Sequence, residues 1–478
     1  MRAGASQFLV QLIGLGLAVA ISVAISHGLG ASAEADAFLL GRRLVTGLQE
    51  VLVQVLTLVF LPMVAMRAGQ AALLRLGLWV AAAGVLIAVA FAALSGPIVV
   101  AIAPEMQGET AAMARRVIVV LSGSLPLALV GVLMGAALNL SGRFGWPALA
   151  RLAPRAMVLG VFLAGLGASQ SVMWAAAGFV AGNAVALLMM LPLVRPVEAP
   201  TSQVAPHVGA ALLLVAGAQG ALWLETALAA RAGVGGITLL EMGQRVAALL
   251  GNTLALALVM PAFAKWTARP DERTGQHFWK LAAAGTALLV LAQGLLMILA
   301  PRIVANVLGQ GALGTEGQEA LLPVIWILAL APFATLLSRL LVVWRITGAG
   351  GHLGQVGLAV VVDLCVRSIL GLTLLPTIGV QAVALGMVLG PLASATVLGA
   401  LSWRDLRGEG VGLLPVLGSM MGLAAGVVVM WTAPMVLPWF AEQSIVSTLV
   451  LTSLSGVSAL GVFTMWIRWR GLVWVFRF

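Results

Sequence analysis

The sequence is short of charge. Of its 478 residues 9% are Asp, Glu, Lys or Arg, against 62% hydrophobic, and the mean hydropathy is +1.11. A water-soluble core cannot hold that much apolar surface, so soluble multi-domain readings are excluded and lipid is the solvent. Cysteine occurs once, as Cys365 in an apolar run, which excludes a disulfide framework and a thiolate metal site. The four histidines, His27, His207, His277 and His352, fall at the ends of apolar runs or between them, with no paired metal-ligand spacing. Neither a P-loop nor a dinucleotide fingerprint is present, and "GAGGHLG" at 348–354 lacks the P-loop lysine. With no catalytic constellation and no nucleotide site, the chain reads as a transporter without a cofactor, driven by a gradient or by downhill flux. Lysine is scarce too, Lys265 and Lys280 being the two present. The net charge of +10 is therefore carried by arginines. These are scattered between apolar stretches without interleaved aromatics, so anionic membrane lipid is expected as a partner and nucleic acid is not.

What is abundant is the apolar run of about 20 residues, the length that crosses a bilayer as a helix. Such windows fall near 5–27, 37–64, 73–95, 117–139, 147–168 and 172–194, then near 208–231, 237–262, 279–300, 321–344, 353–375 and 380–402, and finally near 411–433 and 446–467. The expected fold is an all-α polytopic membrane protein of about 14 transmembrane helices. Its predicted organisation is a six-helix lobe over 1–195, a linker over 196–207, a second six-helix lobe over 208–404, and two additional helices with a short tail over 405–478. The first run is read as a retained span rather than a cleaved leader.

Basic residues orient these spans. With the N-terminus cytoplasmic, seventeen of the 26 Lys and Arg residues fall on the cytoplasmic side, and Arg115, Arg116, Arg231 and Arg302 fall opposite. Both termini are therefore expected inside. Arg42, Arg43, Arg245, Arg339 and Arg367 remain at membrane depth.

An internal repeat is visible in the punctuation. Gly41 and Arg43 match Gly243 and Arg245 at an offset of 202. Pro126, Ser141 and Gly142 match Pro332, Thr347 and Gly348 at 206, and Gly178 and Gly182 match Gly386 and Gly390 at 208. The slowly growing offset predicts a duplicated six-helix unit with a pseudo-twofold along the membrane normal and a substrate site between the lobes.

Polar residues mark which helices line that site. Arg43, Thr46, Glu50, Gln54 and Thr57 share one face of the second span, and Thr238, Glu241, Arg245 and Asn252 one face of the eighth. A charge at the bilayer centre costs at least about 2.5–3.5 kcal/mol on the insertion scale, so such stripes are expected to face a wet cavity. Arg43 is preferred over Arg42, which lies off the stripe. Glu241 and Asp363 each precede an arginine by four residues, so intrahelical ion pairs are the competing reading. Glu225 has no such neighbour and is the leading candidate for a Na+ or proton site, with Asp363 across the bundle. Arg339 is either cavity-lining or a packing contact.

The residues also resemble a known family, the MviN/MurJ-type lipid II flippases of the MOP exporter superfamily. "LGASAEADAF" with the later "FLPMV" resembles its first loop and second helix, and "GRFGWPALARLAP" its fourth-to-fifth link. "GQRVAALLGNTLALALVMPAFAK" resembles its eighth helix and "LSRLLVVWRITGAGGHLGQVGLAVVVDL" its tenth-to-eleventh link. The resemblance implies an alternating-access flippase of the bacterial cytoplasmic membrane. Its substrate would be a polyprenyl-pyrophosphate-linked saccharide, moved from inner to outer leaflet with cavity arginines on the pyrophosphate and the last two helices grooved for the lipid tail. It places Asp36 on the family's loop aspartate, Arg43 and Arg245 on basic cavity positions, and Glu225 and Asp363 in helices that supply a sodium site in some members. The chain departs from the family in having no arginine between Ile13 and Ser26, and in reading "LQEVLVQV" where an arginine pair and "AEG" are usual. A lipid-linked oligosaccharide for an O-antigen or exopolysaccharide is the nearest alternative. A MATE-like cation or drug antiporter follows, and then a transport-inactive scaffold for envelope-synthesis proteins. A monomer is expected.

Overall fold

The computed structural model describes residues 2–56, 70–140, 143, 145–165, 171–193, 208–248, 259, 266, 274–308, 311–348 and 353–407. Asn252, the linker over 196–207 and the two closing spans lie outside the described residues. Among those described the chain is helical, without strands, and eight helices or helix pairs are long and apolar enough to cross a membrane. The protein is an all-α polytopic membrane protein.

The helices follow the apolar runs closely. They are α1 (Arg2–Gly28), α2 (Ala33–Val55), α3 (Gln70–Ala93), α4 (Ser95–Ile102), α5 (Gly108–Ser122), α6 (Ser124–Leu140), α7 (Gly145–Ala150), α8 (Ala153–Ala164) and α9 (Ser171–Met190). After these come α10 (Val208–Arg231), α11 (Gly236–Ala248), α12 (Gly275–Ile303), α13 (Gly314–Leu328), α14 (Ala331–Ile346), α15 (Leu353–Ile378) and α16 (Val380–Arg407). Local chemistry sets the ends. Ser32 caps α2 by accepting the Ala35 N–H at 3.2 Å, and Glu34 and Asp36 sit in the first turn, where negative charge suits the helix dipole. Just before it, Gly30 has φ +62°, and a Cβ there would lie 2.3 Å from the Ala312 carbonyl oxygen, so α1 can hand over to α2 at that point through glycine alone.

Three predicted spans are divided into two helical segments. The fourth divides at Gly123 between α5 and α6, and the tenth divides between α13 and α14. Pro126 and Pro332, the repeat-related prolines, each lie in the first turn of the second segment. A proline lacks the N–H that a helix interior needs, while a first turn leaves that donor unused. The fifth span divides in the same way before Pro154.

The chain forms two compact units. The first comprises Met1–Arg245, Ala305–Leu321 and Leu364–Gly386. Within it α2 packs on α5 and α10, α3 and α9 pack on α6, and α8 lies between α1 and α9. Small residues permit the close contacts: a Cβ at Gly182 would lie 2.4 Å from Pro154 Cα, and one at Gly178 would lie 3.0 Å from the Met157 carbonyl. Gly386, the repeat partner of Gly178, brings α16 similarly close to Arg367 on α15. Large apolar side chains such as Leu78, Trp79 and Leu86 on α3 point outward, where lipid covers them at no cost.

The second unit comprises Val246–Val304, Leu322–Asp363 and Met387–Phe478. Its aromatic centre is Trp344 of α14, edge-on to Trp266 at 5.5 Å and to Phe278 at 5.8 Å. Arg345, a loop cation by sequence, is buried. It donates to Asp405 at 2.9 Å and to the Leu401 carbonyl, pinning α14 to α16.

Candidate functional site

The site is built where side chains of α2 meet the start and first turns of α11 inside the first unit. At its start Asp36 is 2% exposed. One carboxylate oxygen accepts the Gly235 N–H at 2.7 Å, and the other accepts the Thr238 N–H at 2.8 Å and the Thr238 hydroxyl at 2.7 Å. The first N–H groups of a helix have no partner within it, so α2 supplies the cap that α11 lacks. Asp36, the loop aspartate by resemblance, acts as a latch whose donors come from the start of α11.

This latch sets the register of the two helices. Asp36 and Thr238 are separated by 202 positions, and the contacts that follow by 198 to 201. Two turns further on, that register brings Arg43 opposite Glu241 and Gln244. Glu241 accepts from three guanidiniums: Arg42, Arg43 through Nε at 2.7 Å, and Arg245 through Nε at 2.8 Å. Arg43 also donates to Gln244 and, at 3.4 Å, to the Thr226 hydroxyl. Gln244 passes the network on to Glu225 at 3.1 Å, and Glu225 accepts from Arg367 of α15. Gly41 lets α2 come close to α5, since a Cβ there would lie 2.7 Å from Val117 Cγ1.

Charge in this network is unevenly distributed. Around Glu225 the carboxylate is paired with the Arg367 guanidinium. Around Glu241 one carboxylate meets three, which leaves a surplus of two positive charges. At membrane depth such a surplus is costly unless a mobile anion or water completes it. Arg43 is sealed, with 3% of its side chain exposed, whereas Arg42 and Arg245 retain 13% and 18%. The accessible edge of the cluster is therefore formed by the latter two.

The other expected site residues are placed differently. The Glu241–Arg245 intrahelical pair forms and is part of the cluster rather than an alternative to it. Arg42, off the stripe by sequence, reaches Glu241 as well, because the carboxylate lies between the two neighbouring side chains. Its position beside a stripe arginine is the one signal in the sequence. Glu50 and Gln54 are one turn apart and hydrogen-bonded to each other at 3.0 Å, toward the exposed end of the stripe. Glu225, the expected cation site, is 5% exposed and holds an arginine in this conformation. Asp363 lies four residues before Arg367 on α15. Arg339 is on the exposed face of α14 in the second unit.

The chain is similar to a solved structure of lipid II flippase MurJ in an inward closed conformation, with a TM-score of 0.77 at 15% identity over 98% of this chain and 99% of that one. It is also similar to an inward-facing multidrug resistance MATE family transporter of the MOP superfamily, with a TM-score of 0.67 at 15% identity over 84% of this chain and 96% of that one. At such identities these likenesses speak for the fold. No curated protein sequence matches the chain. The model of the lipid II flippase MurJ family matches residues 25–460, which takes in both halves of the arginine cluster, and the chain belongs to that family.

Proposed function

We propose that this chain is a lipid II flippase that carries its substrate from the inner to the outer leaflet by alternating access, with Arg42, Arg43 and Arg245 holding the pyrophosphate. The observation that carries this reading is the convergence of three guanidiniums from two helices on the single carboxylate of Glu241. Guanidinium groups bind phosphate oxygens through paired N–H donors, and a water-poor surrounding strengthens that bond. Glu241 neutralises one of the three charges and orients all three side chains, which leaves two charges for the pyrophosphate. A cationic drug would be repelled by the same surplus, which disfavours an antiporter of the MATE kind. The bacterial cytoplasmic membrane, with both termini inside, follows from this reading together with the arginine bias of the loops. Coupling to Na+ or H+ through Glu225 would require that carboxylate to exchange Arg367 for the ion during the cycle.

The test is complementation of a strain depleted of its lipid II flippase, with Arg43→Ala and Arg245→Ala alongside the unaltered chain. Rescue by the unaltered chain and loss of rescue in both variants, at equal membrane levels, is the expected result. Rescue that survives both substitutions would overturn the arginine mechanism. Good expression without any rescue would turn the substrate toward another lipid-linked glycan.

A further inference from the structure

Helix α1 carries no lysine or arginine between residues 3 and 28, yet two guanidiniums rest on its backbone. Arg155 of α8 donates Nη1 to the Gly14 carbonyl at 2.9 Å, and Arg245 of α11 donates Nη1 to the Ala18 carbonyl at 2.5 Å. Those carbonyls are four residues apart on one face, ~6 Å along the axis at 1.5 Å per residue. Both already accept from their own helix, so these bonds satisfy no need of α1. They hold the guanidiniums in place.

Arg155 is built for this position. A Cβ at residue 14 would lie 2.7 Å from its Nη1, so glycine is what lets the guanidinium reach the backbone. The arginine is exposed, and among the described residues no carboxylate pairs with it. Among the described residues one of its five N–H donors is bonded, to the Gly14 carbonyl. Counted with Arg42, Arg43 and Arg245 against Glu241, the group carries a surplus of three positive charges. Two anchored guanidiniums about one helical turn apart, each with open donors, match an anion bearing two phosphoryl groups.

Resting on the proposed lipid II function, we infer that Arg155 is a further phosphate-binding residue that forms with Arg245 a two-arginine clamp along α1, each arginine taking one phosphoryl group of the carrier's pyrophosphate. Sequence position places Arg155 among the cytoplasmic loop cations. The contact with Gly14 assigns it to the site.

The full chain in phosphatidylcholine nanodiscs, probed by native mass spectrometry with undecaprenyl pyrophosphate and separately with phosphatidylglycerol, tests this. Arg155→Ala is expected to weaken undecaprenyl pyrophosphate binding about tenfold, the loss of one charge-assisted contact. Arg155→Lys should fall between the two, because an ammonium keeps the charge but lacks the planar fork. Gly14→Ala, which displaces a flexible side-chain tip rather than backbone, should weaken binding in the same direction with an unchanged melting temperature. If Arg155→Ala binds like the unaltered chain while Arg245→Ala does not, the clamp is overturned and the proposed function stands. If neither substitution matters, or the unaltered chain does not bind the carrier, both fail. A loss seen for phosphatidylglycerol alone would make Arg155 a lipid-headgroup contact and overturn the clamp.

Discussion

Asp36 is a buried carboxylate and Glu241 a partly buried one, and each joins α2 to α11. Asp36 takes two backbone N–H groups and a hydroxyl, so its hydrogen-bond partners are all neutral. Glu241 takes three guanidiniums, and its surroundings are over-compensated. The first arrangement is complete as it stands and suits a joint. The second is incomplete without an anion and suits a binding site. One helix pairing therefore carries both a mechanical element and a chemical one, and the balance of donors and charge tells them apart.

The largest way to break this comparison is Glu241→Gln. It leaves three arginines without their shared counter-charge, and removing one partner of a buried ionic cluster costs about 3–5 kcal/mol. A substantial fall in the melting temperature of the purified protein is expected, partly recovered when Arg42→Ala is added to the same chain. Equal stability of Glu241→Gln and the unaltered protein would mean that the cluster is not formed. Next comes Asp36→Ala, which strands the α11 donors and should cost about 1–3 kcal/mol in the same melt. Asp36→Asn, which keeps an acceptor oxygen, should lose less. The two carboxylates should also separate by function. At matched expression, Asp36→Asn should retain some flipping, while Arg245→Ala should abolish it.

Gly182→Ala probes packing without charge. Its new methyl group meets the α8 backbone at Pro154, and overpacking of that kind costs about 1–3 kcal/mol, read as a lower melting temperature with unchanged carrier binding among the folded molecules. The smallest effect is expected for Gln54→Ala. The Glu50–Gln54 bond is an exposed contact within one helix, worth about 0.2–0.5 kcal/mol, so neither melt nor rescue should move measurably. A clear loss of flipping there would extend the site down the stripe and blur the boundary drawn at Arg43.

Much of the fold was legible because lipid imposes a simple rule on sequence: spans must be apolar for about 20 residues and satisfy their own backbone. The ends of α3, α9, α10 and α15 therefore lie within a few residues of the apolar windows. The breaks at Gly123 and before Ala331 were less legible, because a proline alone reports a disturbance, and whether it becomes a kink or a new helix start depends on the packing around it. The site was legible in part. Spacing picked out Arg43, Glu241 and Arg245, since a helix turns regularly and a charge in lipid needs a reason. Spacing could not reveal that Asp36 is a cap for another helix, that Arg42 shares Glu241, or that Arg155 and Arg345 are held by partners on other helices.

By itself, then, the sequence determined the solvent of this protein, its helical class and the helices on which charge enters the membrane, because each follows from composition or from a fixed helical period. Only the tertiary structure decided which charges meet. Contacts such as Arg43 with Glu241 and Glu225 with Arg367 join residues 198 and 142 positions apart. Partners at such separations are selected by helix packing, which brings side chains within hydrogen-bonding reach according to register and close approach rather than spacing along the chain.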